Sequence, residues 1–139
     1  MTFQAKSSLA MFGILAAVYG WYFATMLNTA RSTPVEAIVY QPLMIVVTIP
    51  LVILAIVAHA AIAIANPREA GVTDERDRLV ALRGAEIGGV VLATGVCCGL
   101  ALVLFGGAPF WIAHTLLGTL VLAELATAAT RLILYRQGR

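Results

Sequence analysis

The run AEIGGVVLATGVCCGLALVLF, Ala85 to Phe105, decides the fold. Beyond Glu86 it carries no charge, and it does not alternate between polar and apolar residues as a barrel strand would. It reaches the roughly 20 residues that a helix needs to cross about 30 Å of hydrocarbon. Moving outward, three more runs have the same character: about Ser8 to Leu27, about Val35 to Ala65, and about Pro109 to Leu134. The whole chain has 139 residues, of which 61% are hydrophobic and 12% charged. A soluble domain of ordinary composition is about 45–50% apolar and about 25% charged. The expected fold is all-α: a polytopic membrane protein forming a single four-transmembrane-helix bundle, with helices over about 8–28, 34–65, 74–105 and 109–135.

The first run has a basic start at Lys6 and could be taken for a signal peptide. Its length and its Tyr19, Trp21, Tyr22 and Phe23 point instead to a retained helix. Lys6, Arg68, Arg76, Arg78, Arg83, Arg131, Arg136 and Arg139 all fall on one side of such a bundle, and only Arg31 on the other. The positive-inside rule then gives an N-in/C-in bacterial inner-membrane protein, multi-pass, with lipids as its surroundings.

Local signals divide the runs. In STPVE, Ser32 to Glu36, Thr33 reads as a helix cap with Pro34 at the first helical position and Glu36 completing a capping box. Pro42 and Pro50 each remove a backbone donor inside the second run, and Pro42 is the alternative start of the span proper. GGAP, Gly106 to Pro109, is a tight turn that makes the third and fourth helices an antiparallel hairpin. Small residues recur every four positions at Ala85, Gly89, Ala93, Cys97 and Ala101, with Gly84/Gly88 and Gly95/Gly99 on neighbouring stripes. The fourth helix matches them with Thr115, Thr119, Ala123 and Thr127. Such stripes let helices approach closely where no hydrophobic effect drives association, within one chain or between copies. Cys97 and Cys98 lack the spacing of a metal site and read as small packing residues.

Most of the charge lies in one segment, GVTDERDRLVALRGAEIGG, Gly71 to Gly89. Thr73 caps a helix whose first turn holds Asp74 and Glu75, where the helix dipole favours acids. Asp74 and Arg78 form an i,i+4 pair, while Arg76 and Arg83 share a stripe suited to a neighbour or to lipid phosphates. A helix from Thr73 to Phe105 would be about 48 Å long. Its start therefore extends into the cytoplasm or bends at Gly84. The exposed turns, with Asp74, Glu75, Arg76, Asp77, Arg78, Arg83 and Glu86, are the candidate docking segment for a cytoplasmic or membrane partner or a second copy. Their mixed signs do not suit nucleic acid.

TDERDRLVALRGAEIGG, followed by an apolar span, resembles an uncharacterised family of small bacterial membrane proteins with an Asp-Glu-Arg-Asp signature. The resemblance runs from about Asp74 to the end and includes FWIAHTLLGTLVLAEL, Phe110 to Leu125, while the first two helices match only in hydropathy. It implies a four-helix inner-membrane protein and brings no activity with it. The small multidrug transporters have similar length, but their membrane glutamate lies in the first helix, and this first helix has no acid.

Ionisable residues inside the apolar runs are His59, His114 and Glu124. Counted from the run ends, His59 and His114 differ in depth by roughly 13 Å. One haem iron therefore cannot take both, and His114, after Trp111, reads as interfacial. His59 and Glu124 fall at similar depth and form the candidate intramembrane polar site. No phosphate loop, metal-ligand spacing or nucleophile–base pair is present in the sequence, so no enzyme activity and no cofactor is expected. The expected function is accessory, regulatory or scaffolding, through a partner or self-association. The alternative is a small transporter or proton-coupled carrier using His59 and Glu124.

Overall fold

A computed structural model describes residues 3–50, 52–53 and 75–137, apart from the side chains of 3–8, 10–11 and 75–77. The described residues form four helices and no strand. Helix α1 spans Phe3–Ser32, α2 Gln41–Pro50, α3 Glu75–Leu104 and α4 Pro109–Gln137, with a short 3-10 turn at Val35–Ala37. Two of these, over Arg78–Leu104 and Pro109–Gln137, are long and apolar enough to cross a membrane.

The link between α1 and α2 departs from expectation. Helix α1 runs on to Ser32, and Thr33 donates its amide to the Thr29 carbonyl at 3.0 Å. Thr33 therefore closes α1 rather than capping the next helix. Pro34 precedes the 3-10 turn and no side chain caps it, so the capping box does not form. The second helix starts at Gln41 instead of near position 34, with Pro42 in its first turn, where a missing N–H costs nothing.

The α3–α4 turn forms as its glycines dictate. Gly106 has φ 71°, in the left-handed region that favours glycine. Its amide bonds to the Val103 carbonyl at 3.1 Å, and the Gly107 amide to the Leu102 carbonyl at 2.7 Å. This paired pattern ends a helix by satisfying its last carbonyls. A Cβ on Gly107 would sit 2.9 Å from the Leu102 oxygen, so both glycines are needed. Pro109 then opens α4. Helix α3 is continuous through Gly84, with no break there.

Helix α4 is the centre of the arrangement, with α3 along one face and α1 along another. Against α3 the contact is between small residues. A Cβ at Gly88 would collide with Thr127, and one at Gly95 with Thr119; at Gly99 it would lie 2.7 Å from Leu116. The stripe in contact is therefore Gly84/Gly88/Gly95/Gly99. Ala85, Gly89, Ala93 and Cys97 are exposed, and nothing lies within 4 Å of a Cβ placed on Gly89. Cys98 is exposed too, so neither cysteine packs a helix interface as the sequence suggested. The other face of α4 builds the buried core, where Phe110, Leu117 and Val121 meet Tyr19, Tyr22 and Met26 of α1, Ile38, and Val47 of α2.

Six helix threonines resolve their hydroxyls locally, whereas the buried Thr48 hydroxyl of α2 has no partner among the described residues. Thr25, Thr29, Thr94, Thr119, Thr127 and Thr130 each donate to the carbonyl four residues back, at 2.7–2.9 Å. This back-bond satisfies a hydroxyl without a partner helix or water, as apolar surroundings demand.

Candidate functional site

The most developed polar feature lies where α1, α2 and α4 converge. His114 is 7% exposed and Tyr22 fully buried. His114 Nδ1 lies 2.7 Å from the Phe110 carbonyl oxygen, one turn earlier in α4, and Nε2 lies 3.0 Å from the Tyr22 hydroxyl. A carbonyl only accepts, so Nδ1 carries the hydrogen and donates. In the neutral ring Nε2 must then accept, and Tyr22 donates to it. The chain of bonds has a fixed direction: hydroxyl to imidazole to backbone carbonyl.

Aromatic rings enclose this couple. Phe110 stacks on the imidazole with centroids 4.1 Å apart, and Tyr22 lies nearly parallel to it at 5.7 Å. Tyr40 approaches edge-on at 5.2 Å and Phe23 at 6.2 Å. Tyr40 reaches this cluster from the non-helical 38–40 segment before α2, where its ring meets Phe110 and His114 of α4. A shallow open groove of about 190 Å³ runs beside the cluster, lined by Phe23, Leu27, Phe110, Trp111, His114 and Thr115. Since both ring nitrogens are engaged, the imidazole offers the groove no free ligand atom. The groove can take an apolar group, while the buried couple fixes the two rings against each other.

His114 is therefore buried in the helix core. The missed signal was matched depth: Tyr22 lies five residues before Leu27, the end of the first apolar run, and His114 five after Pro109. Each lies about 7 Å from the end of its own apolar run.

The residues singled out from sequence fare differently. His59 lies outside the described residues, so its approach to Glu124 is not described. Glu124 is exposed on α4 and makes no hydrogen bond or ion pair among the described residues. Asp74 also lies outside the described residues, and so do the side chains of Glu75, Arg76 and Asp77, whose backbones from position 75 form the first turn of α3. Arg78, Arg83 and Glu86 are exposed, and Arg83 binds Glu86 at 3.0 Å. That i,i+3 pair, with side chains 70% and 63% exposed, adds little stability. Between Arg76 and Arg83, Val80 is buried and Leu79 exposed.

Compared with protein-family models, curated proteins and solved structures, the chain matches none.

Proposed function

We propose that this chain is an integral membrane protein of four spans, with both termini in the cytoplasm of a bacterium, acting as an accessory or scaffold protein through helix-to-helix association. The membrane reading rests on how the two long apolar helices face outward. Val90 and Leu104 of α3 are 64% and 83% exposed and Leu122 of α4 59%, a surface that water disfavours and lipid accepts. The remaining two spans rest on the apolar runs of the sequence and on the resemblance to small four-helix bacterial membrane proteins.

One observation carries the association reading. Helix α3 commits one small-residue stripe to α4 and turns a second, Ala85/Gly89/Ala93/Cys97, away from it. In lipid such a stripe lets another helix come close. Cys97 supplies its own probe. In native membranes the Cys98→Ser variant should form a Cys97-linked dimer under mild oxidation, and adding Gly89→Leu should abolish it. A protein that stays monomeric and co-purifies with nothing in mild detergent would rule this reading out.

Glu124 favours a second reading. An ionisable side chain in an apolar helix, without a partner among the described residues, is what a proton-coupled carrier using His59 and Glu124 requires. It predicts loss of proton-coupled flux in Glu124→Gln with the fold retained.

A further inference from the structure

The end of the α3–α4 pair remote from the GGAP turn holds a feature that helix packing leaves unexplained. Arg131 lies across α3 at Gly84. A Cβ on Gly84 would be 2.9 Å from Arg131 Cγ, 3.1 Å from Nε and 3.1 Å from the Thr127 carbonyl oxygen, so the glycine there admits both the arginine side chain and the close approach of α4. Arg131 Nε is buried and has no hydrogen-bond partner. The residue as a whole is half-buried. The ion pair among the described residues joins Arg83 to Glu86 and does not involve Arg131. No carboxylate among the described residues pairs with this guanidinium, so its charge is not balanced by them.

Its depth indicates what balances it. The rise along α4 from Pro109 to Arg131 is about 33 Å, and along α3 from Leu104 back to Gly84 about 30 Å. Both equal the thickness of a bilayer's hydrocarbon core, about 30 Å. With the GGAP turn at one boundary, Arg131 stands at the other, where lipid phosphates lie. Arg78 and Arg136, also without carboxylate partners among the described residues, lie at the same end of the helix pair, while the nearby Glu86 is paired with Arg83. A planar guanidinium binds two phosphate oxygens at once, which a lysine ammonium cannot.

We propose that Arg131, seated on Gly84, binds a phosphate group at the cytoplasmic boundary, that of an anionic lipid headgroup. The proposal rests on the membrane reading above, which alkaline extraction of native membranes tests separately: a chain released into the soluble fraction would defeat that reading itself.

The site is tested by native mass spectrometry of the full chain in mild detergent, with added phosphatidylglycerol or phosphatidylcholine. The unaltered chain should retain phosphatidylglycerol about tenfold better than phosphatidylcholine. Arg131→Gln should lose that preference, Arg131→Lys should keep part of it, and Arg136→Gln should keep most of it. Inorganic phosphate at millimolar concentration should not displace the lipid; displacement would assign the site to free phosphate and overturn the lipid assignment. Equal retention of both lipids by the unaltered chain, or an undiminished preference in Arg131→Gln with its helical content intact, would overturn the proposal. If Arg131→Gln does not fold, Gly84→Ala serves instead, because its methyl displaces the arginine while leaving the charge in place.

Discussion

The two faces of α4 solve the same problem in opposite ways. Toward α3, Thr119, Ala123 and Thr127 meet glycines, and the backbones come close enough that a single methyl does not fit at Gly88 or Gly95. Toward α1 and α2, large rings fill the space and enclose a buried Tyr22–His114 hydrogen bond. On the first face side chains of α4 seat directly on the bare backbone of α3 at its glycines; the second depends on the bulk of rings and on one polar couple. The glycine face tolerates no added volume, and the aromatic face tolerates no lost partner.

The largest effect is expected from added volume on the glycine face. Gly95→Leu must push Thr119 and the helix behind it away, and should destabilise the hairpin by roughly 3 kcal/mol. An SDS titration in mixed micelles, followed by circular dichroism, measures this; a loss below about 1 kcal/mol would mean that the close approach does not hold the helices together.

A smaller effect is expected where a partner is removed from the aromatic face. Tyr22→Phe preserves the ring and strands His114 Nε2 in a buried site, at a cost of about 1–3 kcal/mol. Coupling distinguishes this from lost packing: the double variant Tyr22→Phe/His114→Phe should lose less than the two single variants together. Strict additivity would show that the bond contributes nothing of its own.

The smallest effect, of opposite sign, is expected on the outward stripe. Gly89→Ala meets nothing within 4 Å. In the monomer it should stabilise α3 by roughly 0.5–1 kcal/mol through helix propensity alone. A destabilised monomer would place an unseen neighbour against that face.

Much of this contrast was legible in the sequence, but its direction was not. The long apolar runs announced α3 and α4, and Gly106 and Gly107 announced their turn, because both signals are local. Which small residues would meet α4 is a question of helix phase. A step of four residues overshoots one turn by about 40°, so the series from Ala85 to Ala101 drifts about 160° around the helix. The steps Gly84, Gly88, Gly95, Gly99 mix four with seven and drift only about 60°. The longer series looked more regular on paper, while the shorter one stays on a single face. Tyr22 and His114 are separated by most of the chain, and no local pattern joins them. At the α1–α2 link, Thr33 was claimed by two helices, and the carbonyl of Thr29 in the preceding turn won it.

The turn at Gly106 and Gly107 has a consequence beyond ending a helix. The opposed pairs are Gly84 with Arg131, Gly88 with Thr127, Gly95 with Thr119 and Gly99 with Leu116. Each advance along α3 is answered by a nearly equal retreat along α4, so the pairs form a ladder whose origin is the turn. The turn therefore acts as the zero mark of a ruler. Surface loops commonly accept extra residues; here one inserted residue would offset every rung, setting the bulk of Thr119 and Thr127 against side chains instead of glycines and drawing Arg131 off its seat.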